Sequence, residues 1–133
     1  MTRPAPPSHI IDSRLFRDLY GTADMRAVFA DEAMVARWLE VEAALARAQG
    51  SLGLIPQSAA EAITRCAGDA KLDLDALRRG VESAGHPLVP AIRAFERLAG
   101  EAGKYVHWGA TTQDIMDTGL VLQLKDGLAI IER

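Results

Sequence analysis

Apolar residues along this chain recur at helical spacing almost throughout. Val35, Trp38, Leu39, Glu42 and Leu45 share one face at i, i+3, i+4, i+7 positions, with alanines between them. They predict a long helix from an Asp31 N-cap to about Gly50. Glu42 lies on or beside that stripe, and a carboxylate there reads as a partly exposed flank residue rather than a catalytic group. Upstream, Pro4, Pro6 and Pro7 forbid helix and predict an extended, mobile arm over residues 1–13. A short helix is expected from Thr22 to Phe29. Gly50, Gly53 and Pro56 mark a break, and Pro56 is placed to open a helix running to about Ala67. Asp73 reads as the cap of the next helix, with Leu74, Leu77 and Val81 inward. Gly85-His86-Pro87 is a turn. Pro87 and Pro90 then fit the first turn of a helix to Leu98, with Leu88, Ile92, Phe95 and Leu98 facing the core. Residues 100–108 read as a loop, and Tyr105 to Trp108 is the one stretch with any strand character. The class is all-α.

The last helix changes the picture. It starts near Thr112 and carries no stop signal by Arg133. Leu120, Leu124, Leu128 and Ile131 form a stripe, widened by Val121 and Ile130. At about 1.5 Å per residue it spans roughly 30 Å, and so broad an apolar face needs an equally long partner. The other helices are shorter. Either the chain oligomerises through this helix or it is the front of a longer protein, and both are expected. The alternative is a self-contained small bundle with a frayed last helix.

Composition adds exclusions. The chain has 133 residues, enough for one real core, with 49% hydrophobic and 25% charged residues and a net charge of −3. Its arginines are scattered, which argues against nucleic-acid binding. No apolar run reaches the ~20 residues of a membrane span, and the proline-rich N-terminus lacks the apolar core of a secretory signal. Cys66 is the single cysteine. It reads as a small core residue in a reducing cytoplasm, not as a nucleophile. No metal-ligand spacing or phosphate-binding glycine motif appears, so neither metal nor cofactor is expected.

The chemistry concentrates in Val106-His107-Trp108-Gly109-Ala110-Thr111-Thr112-Gln113-Asp114-Ile115-Met116-Asp117-Thr118. A glycine-loosened loop carries an imidazole and an indole. It then delivers two hydroxyls, an amide and a carboxylate into the start of the long helix. A helix N-terminus offers unpaired N–H groups and a positive dipole end, which suit an anion. Thr111 or Thr112 is a candidate side-chain cap, with Asp114 in the first turn. Read alone, the same residues also describe an ordinary capped helix whose His and Trp fill core.

The run His107–Thr118 closely resembles the first signature region of the fumarase/aspartase superfamily. Within it, the run is most similar to the bacterial 3-carboxy-cis,cis-muconate cycloisomerases. Leu19-Tyr20-Gly21-Thr22-Ala23-Asp24-Met25-Arg26, Phe29-Ala30-Asp31-Glu32, Trp38–Ala46 and Leu52–Pro56 resemble the N-terminal segment of the same enzymes. The resemblance covers the chain from about Ser13 to Arg133. It implies an N-terminal helical domain over residues 14–110. Residues 111–133 would then begin a central bundle of very long helices. It further implies a homotetramer whose active sites lie between subunits. The second and third signature regions, a Thr-His-x-Gln motif and a Ser-Ser-x-Met-Pro loop, do not occur here. The 133-residue polypeptide is therefore expected to be inactive alone.

By this resemblance Thr111, Thr112 and Gln113 match positions that hold a substrate carboxylate. His107 matches a histidine that contacts substrate and is the catalytic candidate. His86 falls where adenylosuccinate lyases have a second substrate-side histidine, and Tyr20 matches a tyrosine of those lyases. Trp108 and Gln113 look like the cycloisomerase branch. Leu19 stands where nucleotide-cleaving relatives have an arginine suited to phosphate, and Pro87 where they have aspartate. The implied substrate is a small tricarboxylate in a lactonising step of the protocatechuate branch of the β-ketoadipate pathway. The alternatives are another lyase of this superfamily, such as an adenylosuccinate lyase, and an inactive helical assembly module.

Overall fold

The computed structural model describes residues 9–16 and 18–133. The arm expected over residues 1–13 thus lies largely outside the described residues. Where the description begins, Ile10–Asp12 form a single 3-10 turn rather than a straight extension.

Six α-helices follow among the described residues: α1 (Ala23–Val28), α2 (Asp31–Ser51), α3 (Gln57–Asp69), α4 (Leu74–Ala84), α5 (Val89–Leu98) and α6 (Thr112–Ile131). No strand occurs among them. Residues Gly100–Tyr105, read from sequence as loop, form a 3-10 helix. That compact turn is enforced by Gly103, where a Cβ would lie 2.1 Å from the Glu96 carbonyl oxygen. Only a residue without a side chain lets the turn close on α5.

The helix starts follow local chemistry with two differences. Thr22 caps α1 by accepting from the Met25 N–H, and Asp73 caps α4 by accepting from Asp75 and Ala76. Asp31, expected as a cap, is instead the first residue of α2. Its cap position is Ala30, with no side-chain bond, so Asp31 and Glu32 act on the helix dipole as charges. Pro87, expected in the first turn of α5, precedes the cap residue Leu88, and Pro90 alone occupies the first turn. Gly85 ends α4 in the left-handed conformation that glycine tolerates.

The long helix α2 packs against both α3 and α6, α5 packs on α3, α4 and the 3-10 helix, and α1 lies against α6. Phe95, Ile63 and Leu88 are fully buried at the centre, and Val35, Trp38, Leu39, Ala46, Ile55, Ala60 and Ile115 are among the residues packed around them. Cys66 is partly buried against it, and burial raises its thiol pKa, which suits a packing role. Leu98, expected to face the core, is half exposed, because it borders an open groove between α4 and α5.

Helix α6 packs on both α2 and α1 through Ile115, Gly119, Gln123 and Gly127, not through its leucine stripe. Gly119 lies against the Trp38 side chain of α2, and Gly127 against Met25 of α1 and the following Phe29. The buried Gln123 amide donates to the Val28 carbonyl at 2.7 Å. Arg37 of α2 pairs with Asp126 of α6 at the edge of the contact. The stripe of Leu120, Leu124, Leu128 and Ile131 faces outward and stays exposed. No helix among the described residues is long and apolar enough to cross a membrane.

Candidate functional site

His107 departs from its surroundings first in its backbone. Its φ of +58° is the left-handed conformation, and it is the one described non-glycine residue that adopts it. For an L-residue this costs on the order of 1–2 kcal/mol, so the neighbours must hold it there. Glu42 does so. One carboxylate oxygen accepts from the His107 backbone N–H at 3.0 Å, and the other contacts His107 Nδ1 at 2.6 Å. The partners come from the middle of α2 and from the loop ahead of α6, far apart in sequence.

Glu42 is 2% exposed. The sequence reading of it as a flank residue is therefore corrected: a carboxylate on the apolar stripe is buried because His107 supplies it with two donors. Burial raises the Glu42 pKa, the His107 contacts oppose that rise, and the charge of Glu96 adds to it. The signal was present in the sequence. An ionisable residue in register with Val35, Trp38 and Leu39 demands a buried partner, and His107 was the nearest unexplained candidate only once the chain had folded.

A second hydrogen-bonded pair stands at the start of α6. Thr112 Oγ1 lies 3.2 Å from His86 Nε2. On the other side of that ring, Nδ1 accepts from the backbone N–H groups of Leu88 and Val89 at 3.2 and 3.4 Å. Two donors aimed at Nδ1 put the ring proton on Nε2, so His86 donates to the threonine hydroxyl. That hydroxyl keeps its own proton to donate elsewhere. The first residues of α6 also present backbone N–H groups with no intrahelical acceptor.

The remaining expected site residues are placed as follows. Thr111 is the cap residue of α6, but neither it nor Thr112 caps the helix by a side-chain bond. Thr112 is engaged by His86 instead, and Thr111 is exposed. Gln113 donates to Asp117 at 2.6 Å, one turn along the helix surface. Trp108 is 53% exposed. Its ring stands 6.1 Å from that of Tyr105, and its carbonyl accepts from Gln49 at 2.6 Å. Tyr20 is 56% exposed and packs edge-on against Phe16. Among the described residues no hydrogen bond joins it to His86, His107 or Thr112. The structure thus joins His86 to Thr112 and His107 to Glu42, and leaves Thr111, Gln113, Trp108 and Tyr20 on open surface. An open groove of about 700 Å³ between α4 and α5, bordered by Leu77, Gly80, Pro90 and Arg93, includes none of these residues.

No protein-family model matches the chain. Individual relatives do. It is 49% identical over 126 residues to an N-acetyl-S-(2-succino)cysteine lyase of Enterococcus italicus, covering 95% of this chain and 28% of that protein. It is 42% identical to the 3-carboxy-cis,cis-muconate cycloisomerase of Acinetobacter baylyi, covering 90% of this chain and 28% of that enzyme. It is also 42% identical to an adenylosuccinate lyase of Methanocaldococcus jannaschii, over 93% of this chain and 26% of that protein. The crystal structure of a fumarate lyase from Mesorhizobium superposes with a TM-score of 0.78 at 48% identity, over 84% of this chain and 27% of that one. That of the carboxymuconate cycloisomerase from Acinetobacter calcoaceticus superposes with a TM-score of 0.84 at 42% identity, over 89% of this chain and 29% of that one. The chain therefore spans a little over a quarter of the length of the relatives it matches. The helical order, the His107–Thr118 run and these superpositions agree that the chain belongs to the fumarate lyase superfamily and corresponds to its N-terminal region.

Proposed function

We propose that the full protein encoded with this chain adds or eliminates a group across a carbon–carbon bond next to a substrate carboxylate, and that the start of α6 holds that carboxylate. The observation that carries the reading is the Thr112 hydroxyl, fixed by His86 beside unpaired helix N–H groups. In such a reaction a proton joins or leaves the carbon next to the carboxylate. Negative charge then collects on the carboxylate oxygens in an enolate-like intermediate. Fixed hydroxyl and N–H donors stabilise that charge without reorganising during the step. Thr111 and Gln113 lie on the same helix start and would complete the contacts when substrate and further subunits enclose the site. The exposed stripe of α6 supports a bundle of several chains, with α6 as the beginning of its central helices.

Two substrates suit this chemistry. The first is 3-carboxy-cis,cis-muconate, a tricarboxylate that closes to a lactone when one carboxylate oxygen adds to the conjugated double bond. The Trp108-to-Gln113 run supports it, and Leu19 and Pro87 count against a nucleotide substrate. The second is a succinyl thioether, from which loss of the proton next to a carboxylate expels the thiol and leaves fumarate. The 49% identity to one succinocysteine lyase supports this second reading; a second such lyase is 43% identical, within the 42–44% of the cycloisomerases.

The test is direct. The full reading frame is expressed and offered 3-carboxy-cis,cis-muconate, followed by loss of diene absorbance, and N-acetyl-S-(2-succino)cysteine, followed by thiol release. Turnover of either supports the carboxylate-adjacent reaction and selects its substrate. Turnover of neither, with adenylosuccinate cleaved instead, rejects both substrates.

A further inference from the structure

We propose that Glu42 is a positioning residue for His107, holding its imidazole as the Nδ1–H tautomer so that the Nε2 lone pair is left to exchange a proton with substrate. The proposal rests on the proposed function in one respect: it takes His107, which the sequence resemblance implies contacts substrate, to face the same carboxylate substrate.

The geometry argues for more than packing. A carboxylate needed only to satisfy the His107 backbone N–H would use one oxygen. Here the second oxygen engages the ring of the same residue at 2.6 Å. Both contacts fall on one residue whose backbone is held in the left-handed conformation. The strained backbone and the ring are thus clamped together by one buried group, which restricts ring rotation as well as position. In its ionised form the Glu42 carboxylate only accepts hydrogen bonds, and Nδ1 then carries the ring proton. Nε2 has no hydrogen bond to any other described residue, and the ring keeps part of its surface open.

His86 is held the opposite way. Its Nδ1 accepts two backbone N–H groups, so its proton is on Nε2, facing Thr112. The two histidines that flank the entry to α6 are therefore set in complementary tautomers. One presents a donor to the hydroxyl that binds the anion, and the other presents an acceptor. Proton transfer at a carbon next to a carboxylate needs both roles.

Glu42→Gln tests the proposal with almost no change of shape. The His107 backbone N–H is always a donor, so the new amide must turn its oxygen toward it. The amide NH2 then faces Nδ1 and forces the ring proton to Nε2. Long-range proton–nitrogen correlation spectra of the 133-residue chain labelled with 15N-histidine report the tautomer of each ring, with His9 and His86 as internal comparators. The expected result is the Nδ1–H form at His107 in the original chain and its inversion in Glu42→Gln, with His86 unchanged. An Nε2–H form or a rapid average of forms in the original chain overturns the proposal without any variant. So does an unaltered His107 tautomer in the variant. In the full enzyme, the same substitution should lower kcat by about 100-fold with little change in KM, as expected for loss of a general acid–base group. Inversion of the tautomer with unchanged kcat refutes the catalytic consequence. The spectra do not depend on which substrate is turned over, so the tautomer result stands even if either substrate assignment fails.

Discussion

The indole of Trp38 lies directly against the backbone of Gly119, where a Cβ would stand 2.8 Å from its Cδ1. The contact joins the centre of α2 to the middle of α6. It lets α6 approach α2 closely, and the same helix begins at Thr112 beside His86. Packing at this residue thus bears on the position of the α6 start, where Thr112 meets His86.

Gly119→Ala should accordingly destabilise the chain, although alanine is the better helix former by about 1 kcal/mol. The added methyl must displace an indole that is 6% exposed and confined by the core. Overpacking of this kind costs typically about 1–3 kcal/mol. Urea unfolding followed by circular dichroism measures it, and a variant as stable as the original would contradict the close contact.

Thr112→Val keeps the shape of the side chain and removes its hydroxyl. In the full enzyme it should lower turnover on the order of 100-fold, the usual effect of losing one donor to developing charge. Cys66→Ala, remote from the site, should leave activity nearly unchanged and controls for general damage. If Thr112→Val retains full turnover while folding normally, the anion-site reading fails and the segment is only the start of a helix.

The outward stripe of α6 should drive association. Leu124 is 47% exposed and Ile131 72% exposed, on the same face as Leu120 and Leu128. Such a contiguous apolar strip is uncommon on monomers. Sedimentation of the 133-residue chain should show a concentration-dependent oligomer, and Leu124→Glu with Leu128→Glu should convert it to monomer with its helix content kept. A dilute, stable monomer of the original sequence would refute this.

Stability should fall with rising pH through Glu42. Its pKa is raised in the folded chain, chiefly by burial, so the folded state binds the proton more tightly than the unfolded one. With more protons bound in the folded state, unfolding free energy declines as pH increases, from the ordinary glutamate range up through the raised value. Below that range the contribution is fully present. His107 and Glu96 are the titratable groups that face Glu42. Urea unfolding at about pH 4 and about pH 7 should show the original chain losing ground relative to Glu42→Gln, which has no proton to lose there. A difference that grows in favour of the original chain at the higher pH would reverse the sign and refute it.

Much of this fold is legible along the chain because its helices are local objects. The break at Gly50, Gly53 and Pro56, the Asp73 cap, the Gly85 stop and the start of α6 near Thr112 all depend on residues within a turn or two of one another. Where the reading failed locally, as at Asp31 and Pro87, it erred by one or a few positions, because an acidic residue or a proline suits more than one position near a helix start. The His107–Thr118 run was legible for a different reason: its order of residues resembles a superfamily signature.

The chain by itself thus determined the helices, their order and the run that bears the candidate chemistry, since periodicity, caps and breakers act over a few residues. Only the tertiary structure decided which chemistry-bearing groups meet. It buried Glu42 and paired it with His107, bound His86 to Thr112, and left Tyr20 and Trp108 half exposed. It also turned the small residues of α6, not its leucines, toward α2 and α1. Those outcomes depend on how closely helices remote in sequence approach, which is set by three-dimensional packing at residues such as Gly119 and Trp38 and by the need of every buried charge for a partner.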